Sequence, residues 1–302
     1  HIRIRLLTTE NKYIHNALKQ THLQTKRFNL SGFSISGLAS YHLLPELNFA
    51  VDMGECPLTA IPIDHVFLTH AHGDHSRCLM RHHSLRKMMG LQKDAAYYLS
   101  EKIYEKACQW IRAEAAFEGV PEYRIQIPNL IPIKTDEKII LQYRKDLALE
   151  AFEVSHSVPT LGCTLFRFKK KLLEKYLKCT SQEIIDLRQN HVEVTQDIYE
   201  PIVTFMGDCK SESLLDNASI WKSPVLVTEC TFIDDHEEEM AQKKGHSHLN
   251  RIISIFEEKK DEMECEKIIL NHFSMKYSEK HILDVLDKKL PEFIKDKVTV
   301  MI

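Results

Sequence analysis

The sequence predicts an α/β (α+β) fold in which two facing mixed β-sheets carry helices on their outer faces. Short apolar runs alternate with helix-like stretches in both halves of the 302 residues. Helices that follow most strands pack by covering sheet faces. No linker, internal repeat or low-complexity segment divides the chain, so 1–302 reads as one domain.

The elements follow in order. "HIRIRLL" at the start alternates apolar and charged residues, as a half-buried strand does. "GFSISG", "NFAVDMG" and "DHVFLTH" predict short strands bounded by Gly, Pro and Asp. "HSRCLMRHHSLRKMM" reads as a helix and "AAYYLS" as a strand, while "EKIYEKACQWIRAEAAFEG" reads as an amphipathic helix ended by Gly119. From Tyr123 to Phe168 the pattern is β, through "YRIQI", "LIPIK", "KIILQYR", "LALEAFEV" and "GCTLFRF". "KKKLLEKYLKCTSQEIIDLRQN", from Lys169 to Asn190, breaks that pattern and predicts two short charged helices in an insert at about 169–200. After Pro201 alternation returns with "IVTFMGD", "PVLVTECTF", "HSHLNRIISIFEEK", "KIILNHFS" and "SEKHILDVL".

A composition of 43% hydrophobic and 27% charged residues is that of an ordinary globular protein. The net charge of -3 excludes a globally basic nucleic-acid binder, so a polyanion would have to meet a local patch. No apolar run approaches membrane length, and "HIRIRLLTTENKY" lacks the apolar core of an export signal. The eight cysteines form no CxxC pair and read as reduced thiols. A cytoplasmic protein without a membrane partner is expected.

"HVFLTHAHGDHSRCL" runs from an apolar strand straight into ligand-type residues. His70 and His72, at i and i+2, share one face of an extended segment. Asp74 and His75 turn back at the start of the next helix. Imidazole and carboxylate donors suit zinc, and manganese where oxygen predominates. Four such residues in six positions outweigh a solvated turn. Three more stand at later strand ends: His156 in "FEVSHSVPTLG", Asp208 in "IVTFMGDCKS" and His272 in "KIILNHFS". Each follows an apolar run, so all can meet at one edge of the sheets.

These motifs carry a resemblance. "THAHGDH", "HSVPTLG", "GD" and "NHFSMKY", with "VTECTFIDD" and "KKGHSHL", resemble ribonuclease Z, the tRNA 3′-processing endonuclease of the metallo-β-lactamase superfamily. The likeness runs from Phe28 to Tyr277 and is to the short, plant-type form. There a stretch like "LEKYLKCTSQEIIDLRQNHVEVTQDIYEP" also precedes the Gly-Asp motif. The resemblance implies a metallo-β-lactamase αββα sandwich binding two divalent ions, zinc or alternatively manganese. It implies that His70, His72 and His156 hold one ion, that Asp74, His75 and His272 hold the other, and that Asp208 bridges them. Catalytic roles fall on Asp74, which would orient the attacking water, and on His246 with Glu229, which would supply a proton to the departing 3′ trailer oxygen. The implied partner is precursor tRNA, with a homodimer as an allowed assembly.

The sequence departs from the family pattern at several places. Cys209 follows Gly-Asp where Thr is common, His248 replaces the Thr of His-Ser-Thr, and Lys276 replaces an Arg before Tyr277. The glycine- and proline-rich arm of bacterial members is missing. His248 and Lys276 therefore join Lys169, Lys170 and Lys171 as candidate substrate contacts, with Lys175 and Lys178 on the expected insert helix. The lysine run is equally consistent with a solvated face. Asp52 in "VDMGE" is expected to buttress the metal loop. His82, His83, His191 and His236 read as surface residues. Two rival functions remain: a hydrolase of the same fold acting on a small phosphodiester or thioester, and a non-catalytic protein stabilised by metal.

Overall fold

A computed structural model of the protein describes residues 20–302, and "HIRIRLL" lies outside the described residues. One mixed sheet runs in the order β1 (Thr21–Gln24), β2 (Asn29–Ser36), β3 (Ala39–Leu44), β4 (Phe49–Val51), β5 (His65–Phe67), β6 (Ala96–Ser100) and β7 (Asn129–Ile133). The second contains β8 (Lys138–Leu141), β9 (Arg144–Val154), β10 (Thr160–Leu172), β11 (Thr195–Phe205), β12 (Val225–Glu229) and β13 (Lys267–Asn271). The chain then crosses over. β14 (Phe273–Ser274) pairs with β2 of the first sheet, and β15 (Val298–Val300) returns to the second beside β13.

Apolar residues sort into three layers. Phe49, Val51 and Phe67 from the first sheet meet Leu149, Leu165, Val203 and Val227 from the second to form the central core. Outside the first sheet lie α1 (Gly73–Ser76), α2 (Leu79–Met88) and α3 (Glu101–Phe117), with Leu79, Ile103 and Ile111 buried against Val66 and Tyr97. Outside the second, α7 (Leu249–Glu258) and α8 (Glu279–Lys289) bury Ile252, Phe256, Ile282 and Leu286 on Leu226, Ile268 and Leu270. The shorter α4 (Ser181–Gln189), α5 (Ser213–Asp216), α6 (Glu238–Lys244) and α9 (Glu292–Lys295) complete the chain. This is the expected αββα sandwich.

Several elements differ from expectation. "YRIQI" is not a strand: a 3-10 turn covers Glu122–Arg124, and Ile127 packs against the outer core without pairing. Pro121 and Pro128, which lack an N–H for a ladder, frame the segment. "KIILQYR" splits, because Gln142 and Tyr143 turn between β8 and β9, and Tyr98 Oη accepts from the Gln142 amide at 3.2 Å. The helix expected from His75 is broken between α1 and α2. β1, β3 and β15 carry no strong strand signature in sequence.

The insert is the largest correction. Lys169–Leu172 are strand, paired with Thr195–Ile198, so β10 and β11 extend as a two-stranded ribbon. Helical structure is confined to its tip, a turn at Glu174–Tyr176 and α4, whose N-terminus is closed by a Thr180–Glu183 capping box. Cross-strand pairs outweigh the helical propensity of the Lys-Leu run: Lys169 with Glu200, Lys170 with Asp197, and the Phe168 ring 5.1 Å from that of Tyr199.

His82 and His83 are buried, against expectation, whereas His191 and His236 are exposed. Leu79, His82, His83 and Arg86 form the inward face of α2. That face is polar, and the His82 ring on it is satisfied: its Nδ1 bonds Tyr97 Oη at 2.8 Å and its Nε2 bonds the Ala60 carbonyl at 3.1 Å. Apolar periodicity cannot reveal such a face. Burial, which penalises the charged ring, lowers the pKa of His82 to about 4 and that of His65 to about 4. Each stays neutral in the fold but protonates near its ordinary value when unfolded. Their contribution is therefore complete above about pH 6.5 and is lost as pH falls toward 4, by up to roughly 3 kcal/mol each. Urea titrations at pH 7 and pH 4.5 should show that His82→Gln loses less stability on acidification than the native chain.

Candidate metal centre

The centre forms where strands of both sheets end. After β5 the backbone of Thr69 is fixed by Asp52, whose Oδ1 accepts from the Thr69 amide at 2.8 Å. His70 and His72 follow, and His72 starts α1, which carries Asp74 and His75. α1 lies so close to the loop after β4 that a Cβ on Gly54 would sit 1.7 Å from the Asp74 carbonyl oxygen. His156 follows β9. Asp208 follows β11 through Gly207, whose φ of 67° is open to glycine at low cost. His272 stands at the crossover between β13 and β14, with a left-handed φ of 57° that is uncommon for histidine.

The seven side chains converge. His70, His72, His156 and Asp208 offer donor atoms within 4.8 Å of one another, and so do Asp74, His75 and His272. Asp208 lies between the groups, its Oδ2 being 3.7 Å from His70 Nε2, 3.4 Å from His75 Nε2 and 3.3 Å from His272 Nε2. Ring nitrogens face one another, with His70 Nε2 3.0 Å from His72 Nδ1 and His75 Nε2 3.3 Å from His272 Nε2. Two imidazole lone pairs at such distances require a shared proton or a cation.

The outward nitrogens support a cation. His70 Nδ1 meets Thr69 Oγ1 at 3.0 Å, His75 Nδ1 meets Asp52 Oδ2 at 2.8 Å, His156 Nδ1 meets the Gly245 carbonyl at 2.7 Å, and His272 Nδ1 meets Thr231 Oγ1 at 3.0 Å. Partners of this kind fix the tautomer that leaves Nε2 available to a metal. Asp74 Oδ2 accepts from the Gly37 amide at 2.7 Å. Burial and the neighbouring His75 hold His70 neutral, well below its ordinary pKa. Burial opposes ionisation of Asp208, yet His272 and His75 hold it well below the carboxylate range. Against burial, Asp208 and Asp52 raise the His75 pKa well above its ordinary value, so that ring carries the positive charge a metal would replace. This nitrogen–oxygen donor set, imidazoles around an ionised carboxylate, fits divalent metal ions.

Beside the donors, Glu229 is buried at the end of β12 and accepts from the amides of Cys209 at 2.7 Å and Ser247 at 3.1 Å. His246 Nδ1 bonds Glu229 Oε1 at 2.8 Å, and its ring stacks on that of His272, with centroids 5.4 Å apart. Burial opposes its charge, but Glu229 raises the His246 pKa to about 9. His246 also lies within 4.8 Å of donors on Asp208 and His272. Cys209 supplies its backbone, the N–H to Glu229 and the carbonyl to Ser247 Oγ at 2.8 Å, which any residue offers, while its side chain packs in the outer core.

The remaining candidates lie apart. His248 is buried and caps α7, its Nδ1 accepting from the Asn250 amide at 3.2 Å and its Nε2 bonding the Asp234 carbonyl at 2.9 Å. Both ring nitrogens are thus occupied by backbone. Lys276 pairs with buried Glu237. Lys169, Lys170 and Lys171 stand on the exposed ribbon. Thr69, Thr231 and Gly245 escaped sequence reasoning, because a hydroxyl or carbonyl holding a ring nitrogen has no spacing rule. Only the closeness of Thr69 to His70 hinted at one.

A β-lactamase superfamily domain matches residues 48–273. The chain is 31% identical over 276 residues to tRNase Z TRZ1 of Arabidopsis thaliana, covering 90% of this chain and 95% of that protein. It is 29% identical over 275 residues to the chloroplastic tRNase Z TRZ2 of the same plant, covering 90% and 75%. Human tRNase Z, short form, shares the fold with a TM-score of 0.54 at 16% identity, covering 89% of this chain and 93% of that one. A superfamily match across both sheets, and near-complete alignment to a plant relative, establish that the chain belongs to the tRNase Z family of the β-lactamase superfamily.

Proposed function

We propose that this protein is a metal-dependent endoribonuclease that removes the 3′ trailer from precursor tRNA and leaves a 3′-hydroxyl. The observation carrying this reading is the convergence of seven nitrogen and oxygen donors beside the Glu229–His246 pair. His70, His72 and His156 would hold one divalent ion and Asp74, His75 and His272 the other, with Asp208 shared. Zinc is the first candidate and manganese the second. Such ions, when bound, activate water at neutral pH and stabilise charge on a phosphoryl group. The chain's own groups do the rest. Asp74 orients the attacking water, Glu229 fixes the His246 ring, and His246 holds the proton that the departing oxygen needs.

The exposed β10–β11 ribbon is the proposed arm for the tRNA body. Lys169 and Lys170 are already paired across the ribbon, whereas no ion pair engages Lys171 among the described residues. Each phosphate that a substitution leaves without its cation should lower the slope of log affinity against log salt by about one unit. Lys171→Ala should thus lower it by about one, and the triple Lys169, Lys170 and Lys171 to Ala change by about one to three. An unchanged slope would leave the lysines a solvated face.

A cytoplasmic location accords with eight unpaired cysteines, most of them buried. No helix among the described residues is long and apolar enough to cross a membrane. A homodimer accords with an apolar groove of about 670 Å³ between α1 and α3, lined by Leu68, Leu79, Ile103, Trp110 and Phe117. The deciding experiment incubates the protein with a 3′-extended tRNA and maps both new termini. A single cut beyond the acceptor stem, with a 3′-hydroxyl, is expected. Intact RNA alongside hydrolysis of a small chromogenic phosphodiester would assign the chain to another hydrolase activity.

A further inference from the structure

His42 is out of place as a core residue. It lies on β3 with 3% exposure, its ring edge-on to Phe205 at 5.3 Å. Its Nδ1 has no well-formed hydrogen bond among the described residues. A polar group kept in a core at a cost to stability points to a purpose other than stability.

That purpose is visible at Nε2, which accepts from Asn271 Nδ2 at 2.8 Å. His42 belongs to the first sheet and Asn271, the last residue of β13, to the second, so the bond joins the two sheets under the metal centre. The next residue, His272, is the donor at which the chain crosses between sheets. Its amide donates to the Ser34 carbonyl at 3.0 Å, and Phe273 pairs with Ile35 immediately afterwards. His272 therefore sits in its left-handed conformation between two anchors on the first sheet. One is the backbone pairing with β2, and the other is the His42–Asn271 bond.

We propose that His42 is a positioning residue for the metal centre: through Asn271 it holds the crossover, and so the His272 ring, at the spacing that the Asp74–His75–His272 group requires. α1, which follows β5 of the first sheet, supplies Asp74 and His75, and the second sheet supplies the strand leading to His272. A bond between the sheets sets the distance between those donors. This inference rests on the metal-binding reading alone and not on the identity of the RNA substrate.

The test is calorimetric titration of the metal-stripped chain with zinc, alongside its melting temperature. His42→Leu removes the acceptor while keeping an apolar core, and His42→Gln restores an acceptor. Asn271→Ala removes the donor. In His42→Leu, one of two zinc ions should bind roughly 10- to 100-fold more weakly, while the other and His42→Gln stay within about threefold of the native chain. Because His42→Leu leaves the buried Asn271 Nδ2 without its acceptor, the metal-stripped variant should melt somewhat lower than the native chain, and His42→Gln should recover that loss. Asn271→Ala should reproduce the split between ions. A His156→Ala background, which leaves the Asp74–His75–His272 group intact, should carry the full loss. Unchanged zinc binding in His42→Leu would overturn the inference. So would equal weakening of both ions, or failure of His42→Gln to restore affinity. A native chain that takes up neither zinc nor manganese in the same titration would overturn the metal-binding reading itself, whereas RNA cleavage does not enter the result.

Discussion

Asp208→Ala should lower metal content from two ions per chain to one or fewer and should reduce phosphodiester hydrolysis by well over 100-fold. Asp208 Oδ2 lies within 3.7 Å of ring nitrogens from both donor groups. Removal of groups that only support a ligand already costs roughly 10- to 100-fold in metal affinity or activity, so a shared donor should cost more. The electrostatics point the same way. Asp208 is the anion around which His70, His75 and His272 gather, and without it the imidazoles face one another with no compensating charge. Metal analysis on the purified variant, with the rate on a small chromogenic phosphodiester, checks both parts. Unchanged stoichiometry and rate would remove Asp208 from the centre.

His246→Ala should slow tRNA cleavage by roughly 10²- to 10⁴-fold, the range for loss of a general acid, with both metals retained. Glu229 needs a gentler change, because the amides of Cys209 and Ser247 bond its carboxylate inside the protein. Glu229→Ala would leave those donors unpaired, at a cost of about 1–3 kcal/mol each in stability. Glu229→Gln keeps the shape but removes the charge that raises the His246 pKa. If the two act as one unit, Glu229→Gln with His246→Ala should be little worse than His246→Ala alone. Additive losses would separate their roles, and loss of metal in His246→Ala would make His246 a ligand through its approach to Asp208 and His272. His248→Ala should behave differently. It should lose about 1 kcal/mol of stability through the α7 cap, with kinetics near normal.

By itself the sequence determined the sandwich, most of its longer elements and the donor types. Strand and helix periodicities are local, and ligand-type residues at strand ends are visible one segment at a time. Asp74 and His75 could be read beside His70 because they lie within one turn of chain. The tertiary structure alone decided the rest. The Lys169–Leu172 strand depends on partners at the far end of the insert, and the inward polar face of α2 depends on Tyr97 and the Ala60 carbonyl. His246 rather than His248 faces the donors because α7 begins at Leu249 and draws the His248 ring to its own N-terminus. Thr231 and Gly245 sit in the segments that carry Glu229 and His246 but show no ligand-type side chain of their own, and His42 comes from a strand without such a signal. Hydrogen bonds between distant segments form only once the sheets have packed, so no spacing in the sequence can encode them.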